Sequence, residues 1–171
     1  MKAARLSLTS ACLFPAAALF PASATAQHQL FDRLTNVGIH VVATPESAIR
    51  LGIDSVALRE HLEGRFREAG LGVRTSAELA ARQETPRIVV NVGALTVDSA
   101  YFFSVILELL EPVEIKRSGA EIYGYNWSRQ ILGAAPLSSA IRATWNAVDQ
   151  LTNSFLESRR RALSLAQAAV P

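Results

Sequence analysis

Residues 86–129 read PRIVVNVGALTVDSAYFFSVILELLEPVEIKRSGAEIYGYNWSR. Two short polar segments, TVDSA and KRSGA, divide this stretch into three runs rich in β-branched and aromatic residues. Such runs separated by turn residues read as consecutive strands, and short turns make neighbouring strands antiparallel. In the first run Ile88, Val90, Val92 and Ala94 alternate with Val89, Asn91, Gly93 and Leu95. In the second, Tyr101, Phe103, Val105, Leu107 and Leu109 alternate with Phe102, Ser104, Ile106, Glu108 and Leu110. In the third, Tyr123, Tyr125 and Trp127 alternate with Ile122, Gly124, Asn126 and Ser128. Successive side chains of a strand point to opposite faces, so each run has one richly apolar face and one mixed face.

Upstream, TNVGIHVVA (35–43) is another strand, ended by Pro45. The segment 52–70 then reads as a helix capped by Asp54 or Ser55. Leu58, Leu62, Phe66 and Ala69 form its apolar stripe, and Gly70 stands where a helix-ending glycine belongs. LGVRT (71–75) is a short strand, and SAELAARQ adds a helical turn with Ser76 as its cap. Downstream, Ile141, Trp145, Val148, Leu151 and Phe155 mark the stripe of a second long helix over 138–158, and residues 162–171 are expected to fray. The order β-α-β-β-β-β-α predicts an α+β fold: a two-layer α/β sandwich with a mixed five-stranded sheet and both main helices on one face.

The amino terminus is a separate object. Lys2 and Arg5 precede a largely apolar run from Leu6 to Phe20, and the small residues Ala24 and Ala26 follow. This predicts a signal peptide over 1–26, cleavage near Ala26, and a single domain over 27–171, periplasmic or secreted. The apolar run is short of a membrane span and is broken by Pro15 and Pro21, so no transmembrane span is expected in the mature chain. Ala11 precedes Cys12, but Thr9 stands where a lipoprotein signal carries Leu, so lipid anchoring at Cys12 is not expected. Without the leader, basic and acidic residues balance at fifteen each, which leaves no basic excess for nucleic acid. The leader also holds the one cysteine, so the mature chain forms no disulfide within itself.

Chemistry-bearing patterns are sparse. His28, His40 and His61 are isolated from one another and match no zinc spacing, so neither a metal nor a cofactor is expected. Ser99 lacks the glycine setting of a nucleophile elbow. Glu108 and Glu114 share a strand face six positions apart, about 20 Å, too far for a paired-carboxylate mechanism; Glu111 faces the other way.

Two surfaces remain. The rich faces are expected beneath the helices, which makes Tyr123, Tyr125 and Trp127 a core row; the alternative is an aromatic platform for a small ligand or carbohydrate. The mixed face, with Val89, Asn91, Leu95, Phe102, Ile106, Ile122 and Asn126, becomes the candidate surface for a protein partner or a second copy.

The stretches REAGLGV (67–73), PRIVVNV (86–92), YFFSVILELLEPVEI (101–115) and WNAVDQLTNSFLE (145–157) resemble a family of small uncharacterised bacterial secreted proteins. The element order is similar to that of the envelope α/β domains of the TolB amino-terminal and LpoB type. That resemblance implies a non-catalytic envelope domain that binds protein partners, and it transfers no site residues. The expected function is therefore that of an exported, non-enzymatic protein-binding or assembly module. A small-ligand binder is the first alternative, and a hydrolase with an unrecognised site the second.

Overall fold

The computed structural model describes residue 31 and residues 34–42, 46–50, 52–82 and 84–168. The expected leader, its cleavage position, Cys12 and His28 lie outside these residues. The elements are β1 (Asn36–Val42), α1 (Glu46–Arg50), α2 (Ser55–Glu68), β2 (Gly72–Arg74), α3 (Ser76–Ala81), β3 (Arg87–Val97), β4 (Ala100–Ile115), β5 (Ala120–Pro136), a 3-10 turn (Leu137–Ser139) and α4 (Ala140–Ala168). They build one mixed sheet in the order β2-β1-β3-β4-β5, with β1 parallel to both β2 and β3 and the last three strands antiparallel. This is the expected α+β sandwich with a five-stranded mixed sheet.

Local chemistry sets the helix ends. Asp54 accepts the backbone N–H of Val56 and so caps α2. At its other end, Gly70 (φ +76°) donates to the carbonyl of Arg67 and Leu71 donates to that of Phe66, the two bonds of a Schellman turn. The cap of α3 is Thr75, not Ser76. Thr75 and Glu78 bond each other's backbone N–H reciprocally, and the bonds that the Glu78 carboxylate accepts from the Thr75 backbone N–H and hydroxyl and from Arg74 hold that carboxyl below its ordinary range.

The core lies between the sheet and the pair α2 and α4. Leu58, Leu62 and Phe66 come from α2, and Val148, Leu151 and Phe155 from α4. They meet Ile88, Val90, Val92, Val105, Leu107 and Leu109 of the sheet. Phe155 is the hub: Phe31, Phe66 and Trp127 each set a ring edge-to-face against it at 5.2–5.5 Å. Two buried threonines of α4, Thr144 and Thr152, return their hydroxyls to the carbonyls four residues earlier, and Thr144 also shares a hydrogen bond with Tyr101.

Two elements are longer than the sequence pattern suggests. β5 continues beyond Arg129 through QILGAAP to Pro136, because β4 begins at Ala100 and offers a pairing partner that far. α4 continues past Ser158 to Ala168, with Ala162 buried, so residues 162–168 are helical instead of frayed.

Candidate functional site

The aromatic row is where pattern and structure part. Trp127 pairs with Leu109, but Tyr125 pairs with the next residue, Leu110, so Asn126 is an extra residue in β5. This is a β-bulge. Two residues on one strand oppose one on the other, and the side-chain alternation resets across it. Trp127 therefore points into the core, 7 % exposed, while Tyr125 points to the opposite side, 68 % exposed. Tyr123 opposes Pro112 and shares Tyr125's side. The expected single row is corrected: it forms neither one core stripe nor one ligand platform.

The same bulge corrects two residues of the mixed face. Ile122 opposes Val113 and falls on the helix-side parity of the sheet, and the Asn126 amide donates to Glu111 from within the bulge. Burial pushes the Glu111 carboxyl above its ordinary range, and the Asn126 bond partly offsets this.

The remaining residues of the mixed face share the side of the sheet away from α2 and α4. Leu95 lies directly opposite Phe102, Asn91 opposite Ile106, and Val89 opposite Glu108. At one end Leu95 is 60 % and Phe102 45 % exposed. Beside them stands Leu132, opposite Ser104 and 72 % exposed. Leu132 and Ala134 belong to this surface but fall in the part of β5 that the sequence pattern did not reach. The strand signal was interrupted there by Gly133, whose missing Cβ leaves room for the Phe103 ring on the core side. In the middle, Glu108 accepts from Asn91 and from Ser128, both at 3.4 Å. At the β1 end, α3 folds onto this side of the sheet. Leu79 sits so close to Gly38 that a Cβ there would meet its methyl groups at 2.4–2.5 Å.

The described residues hold one His–carboxylate contact. His61 Nε2 lies 2.8 Å from Asp149 Oδ1, Arg65 approaches the same carboxylate at 3.7 Å, and Trp145 sets its ring edge-to-face on the imidazole. These groups clamp α2 to α4. Among the described residues, no hydroxyl or thiol is hydrogen-bonded to His61. Among the described residues no cluster of His, Cys, Asp and Glu suits a metal, and no helix is long and apolar enough to cross a membrane.

No family model matches the chain, and no curated protein matches it in sequence. Among solved structures, a minor lipoprotein from Acinetobacter baumannii is 11 % identical, with 75 % of this chain and 93 % of that one covered and a TM-score of 0.38. PelC from Paraburkholderia phytofirmans, a dodecamer, is 16 % identical over 72 % of this chain and 87 % of its own, with a TM-score of 0.39. A lipoprotein from Neisseria meningitidis is 14 % identical over 68 % and 99 %, with a TM-score of 0.36. These are weak likenesses, and at these values they carry nothing about function to this chain.

Proposed function

We propose that the protein is an exported, non-enzymatic envelope protein that works as a protein-binding or assembly module. Its working surface is the side of β3, β4 and β5 away from α2 and α4. This keeps the sequence-based expectation of a protein-binding or assembly module and centres it on one end of the mixed face. One observation carries the reading: Leu95, Phe102 and Leu132 lie next to one another on three adjacent strands of the open side, and all three are exposed. Contiguous patches of this kind mark sites of association, whereas scattered exposed apolar residues need no explanation.

The test is the mass of the exported chain by light scattering, together with photo-crosslinking from Leu132 in its native envelope. A protein partner gives one discrete crosslinked product that Phe102→Asp abolishes. A self-assembly gives a multiple of the monomer mass that the same substitution reduces. A monomer whose crosslinks are diffuse and indifferent to Phe102→Asp overturns the reading.

A further inference from the structure

At the opposite end of the same sheet side, a pocket of about 520 Å³ opens between α3, the first turn of α2 and Tyr123. Its floor is Gly38, His40, Arg87 and Val89, which neighbour one another across β1 and β3. β2 ends at Arg74, opposite Gly38, so the outer edge of β1 beyond that point has no strand beside it among the described residues. Ile39 and Val41 consequently reach the pocket although they pack with the core: they present the edge of the backbone. The volume falls in the range of small-molecule sites, roughly 300–1,000 Å³.

The charges lining it have one sign. Arg59 and Arg87 face the pocket and no Asp or Glu does. Arg59 is 4.0 Å from Glu63, but Arg67 already holds that carboxylate at 2.7 Å. Arg87 takes part in none of the ion pairs among the described residues. Its Nε is shut off from solvent without an acceptor, and its guanidinium lies 4.5 Å above the ring of Tyr123. The Tyr123 hydroxyl donates to the carbonyl of Thr85 at 3.4 Å, which holds the ring under the guanidinium. A stacked guanidinium is a planar fork fixed in orientation, the geometry that carboxylates and phosphates match with two parallel hydrogen bonds. Ser55, the first residue of α2, adds a hydroxyl to the pocket lining. Leu79, Val89 and Leu110, the last paired directly with Arg87 across β3 and β4, supply apolar lining beside the guanidinium.

We infer that this pocket binds a small organic anion, with its carboxylate or phosphate head on Arg87 and an apolar body against Leu79, Val89, Leu110 and Tyr123. The pocket adjoins the proposed association surface and Val89 belongs to both, but it shares no residue with the Leu95–Phe102–Leu132 patch that carries that reading.

Calorimetric titration of the folded chain with phenylbutyrate, phenylbutyl phosphate and the neutral phenylbutanol tests it. The expected result is that at least one acid binds about tenfold or more tightly than the alcohol. Arg87→Met removes that advantage and leaves the affinity for the alcohol within about twofold, since Met keeps the apolar stem but not the charge. Whichever acid binds more tightly identifies the head group. If Arg87→Met does not fold, Arg87→Lys is the second variant, and a loss of about tenfold there reports the planar fork specifically. Equal affinity for acid and alcohol, an acid preference that survives loss of Arg87, or no binding of any probe at millimolar concentration overturns the inference.

Discussion

On the helix-covered side of the sheet Val90, Val105 and Leu109 are fully buried, while on the other side Leu95, Phe102 and Leu132 stand largely in water. Leu95 and Phe102 share β3 and β4 with the buried set, on the alternate positions, and Leu132 extends the open side onto β5. The covered side carries the stability of the molecule, because each side chain there is enclosed by α2, α4 and its sheet neighbours. The open side carries little stability and is free to be shaped for contact. β5 shows the contrast within three residues. Trp127 anchors the core against Phe155, and Tyr125, across the Asn126 bulge, faces solvent.

The largest expected effect tests that contrast directly. Trp127→Ala should cost about 3–5 kcal/mol by urea denaturation, as truncation of a buried aromatic does. Tyr125→Ala should stay within about 0.5 kcal/mol, as exposed substitutions do. Similar losses from the two would mean that the bulge does not separate them.

The bulge also marks the limit of what the sequence carries. β3 and β4 are strictly alternating, so their core faces, the antiparallel order and the positions of Leu95, Phe102 and Ile106 can be read from one dimension. Tyr-Gly-Tyr-Asn-Trp alternates just as cleanly, yet the extra residue exists only in relation to Leu109 and Leu110 across the strand pair. No period within β5 reports it. The end of β5 is hidden for a related reason: QILGAAP has weak strand propensity and is held by the length of its partner. The closure of α3 over the sheet left one trace, since a glycine inside a strand often marks a close approach of something else, and Gly38 receives Leu79. The pocket beside it joins residues from six elements, and the pairing of Arg87 with Tyr123 across the sheet is a consequence of the shifted register.

Gly38→Ala comes next in size. The new Cβ would collide with the Leu79 methyls, and displacing them should cost about 1–3 kcal/mol. Because Leu79 walls the pocket, the substitution should also change the affinity for the anionic probes, whereas Gly133→Ala, which crowds Phe103 on the covered side, should cost stability without touching the pocket. A Gly38→Ala variant that melts like the parent would place α3 away from the open side.

Deletion of Asn126 sharpens the comparison further. In a strand with no bulge, removing one residue reverses every side chain on one side of the cut. Here it should restore plain alternation with Trp127 still inside and Tyr125 still outside. The loss should be about 1–2 kcal/mol, on the order of the hydrogen bond to Glu111. Asn126→Ala, which keeps the extra residue and removes only the amide, should cost about the same. A deletion several times more damaging than the alanine variant would mean that the bulge itself is needed.

The smallest effect concerns Glu111, which lies on the helix-side parity but beyond the aliphatic core, where the contrast between the two sides fades. Burial raises its pKa above the ordinary carboxylate range, so the folded chain holds this proton more tightly than the unfolded chain. The sign follows from linkage. Above the folded pKa the ionised carboxylate is destabilising in full; as pH falls through the folded and then the unfolded value, that penalty disappears. Stability should therefore rise slightly on mild acidification at this site, opposite to the Glu78 carboxyl, whose lowered pKa makes its contribution fade as pH falls. Glu111→Gln should flatten its part of the slope and change stability at neutral pH by no more than about 0.5 kcal/mol. Asn126→Ala should steepen the slope, because it removes the one hydrogen bond that opposes the shift. Paired denaturation curves across the carboxylate range, with and without Asn126→Ala, distinguish a carboxylate strained by partial burial from one that water already satisfies: only the first responds.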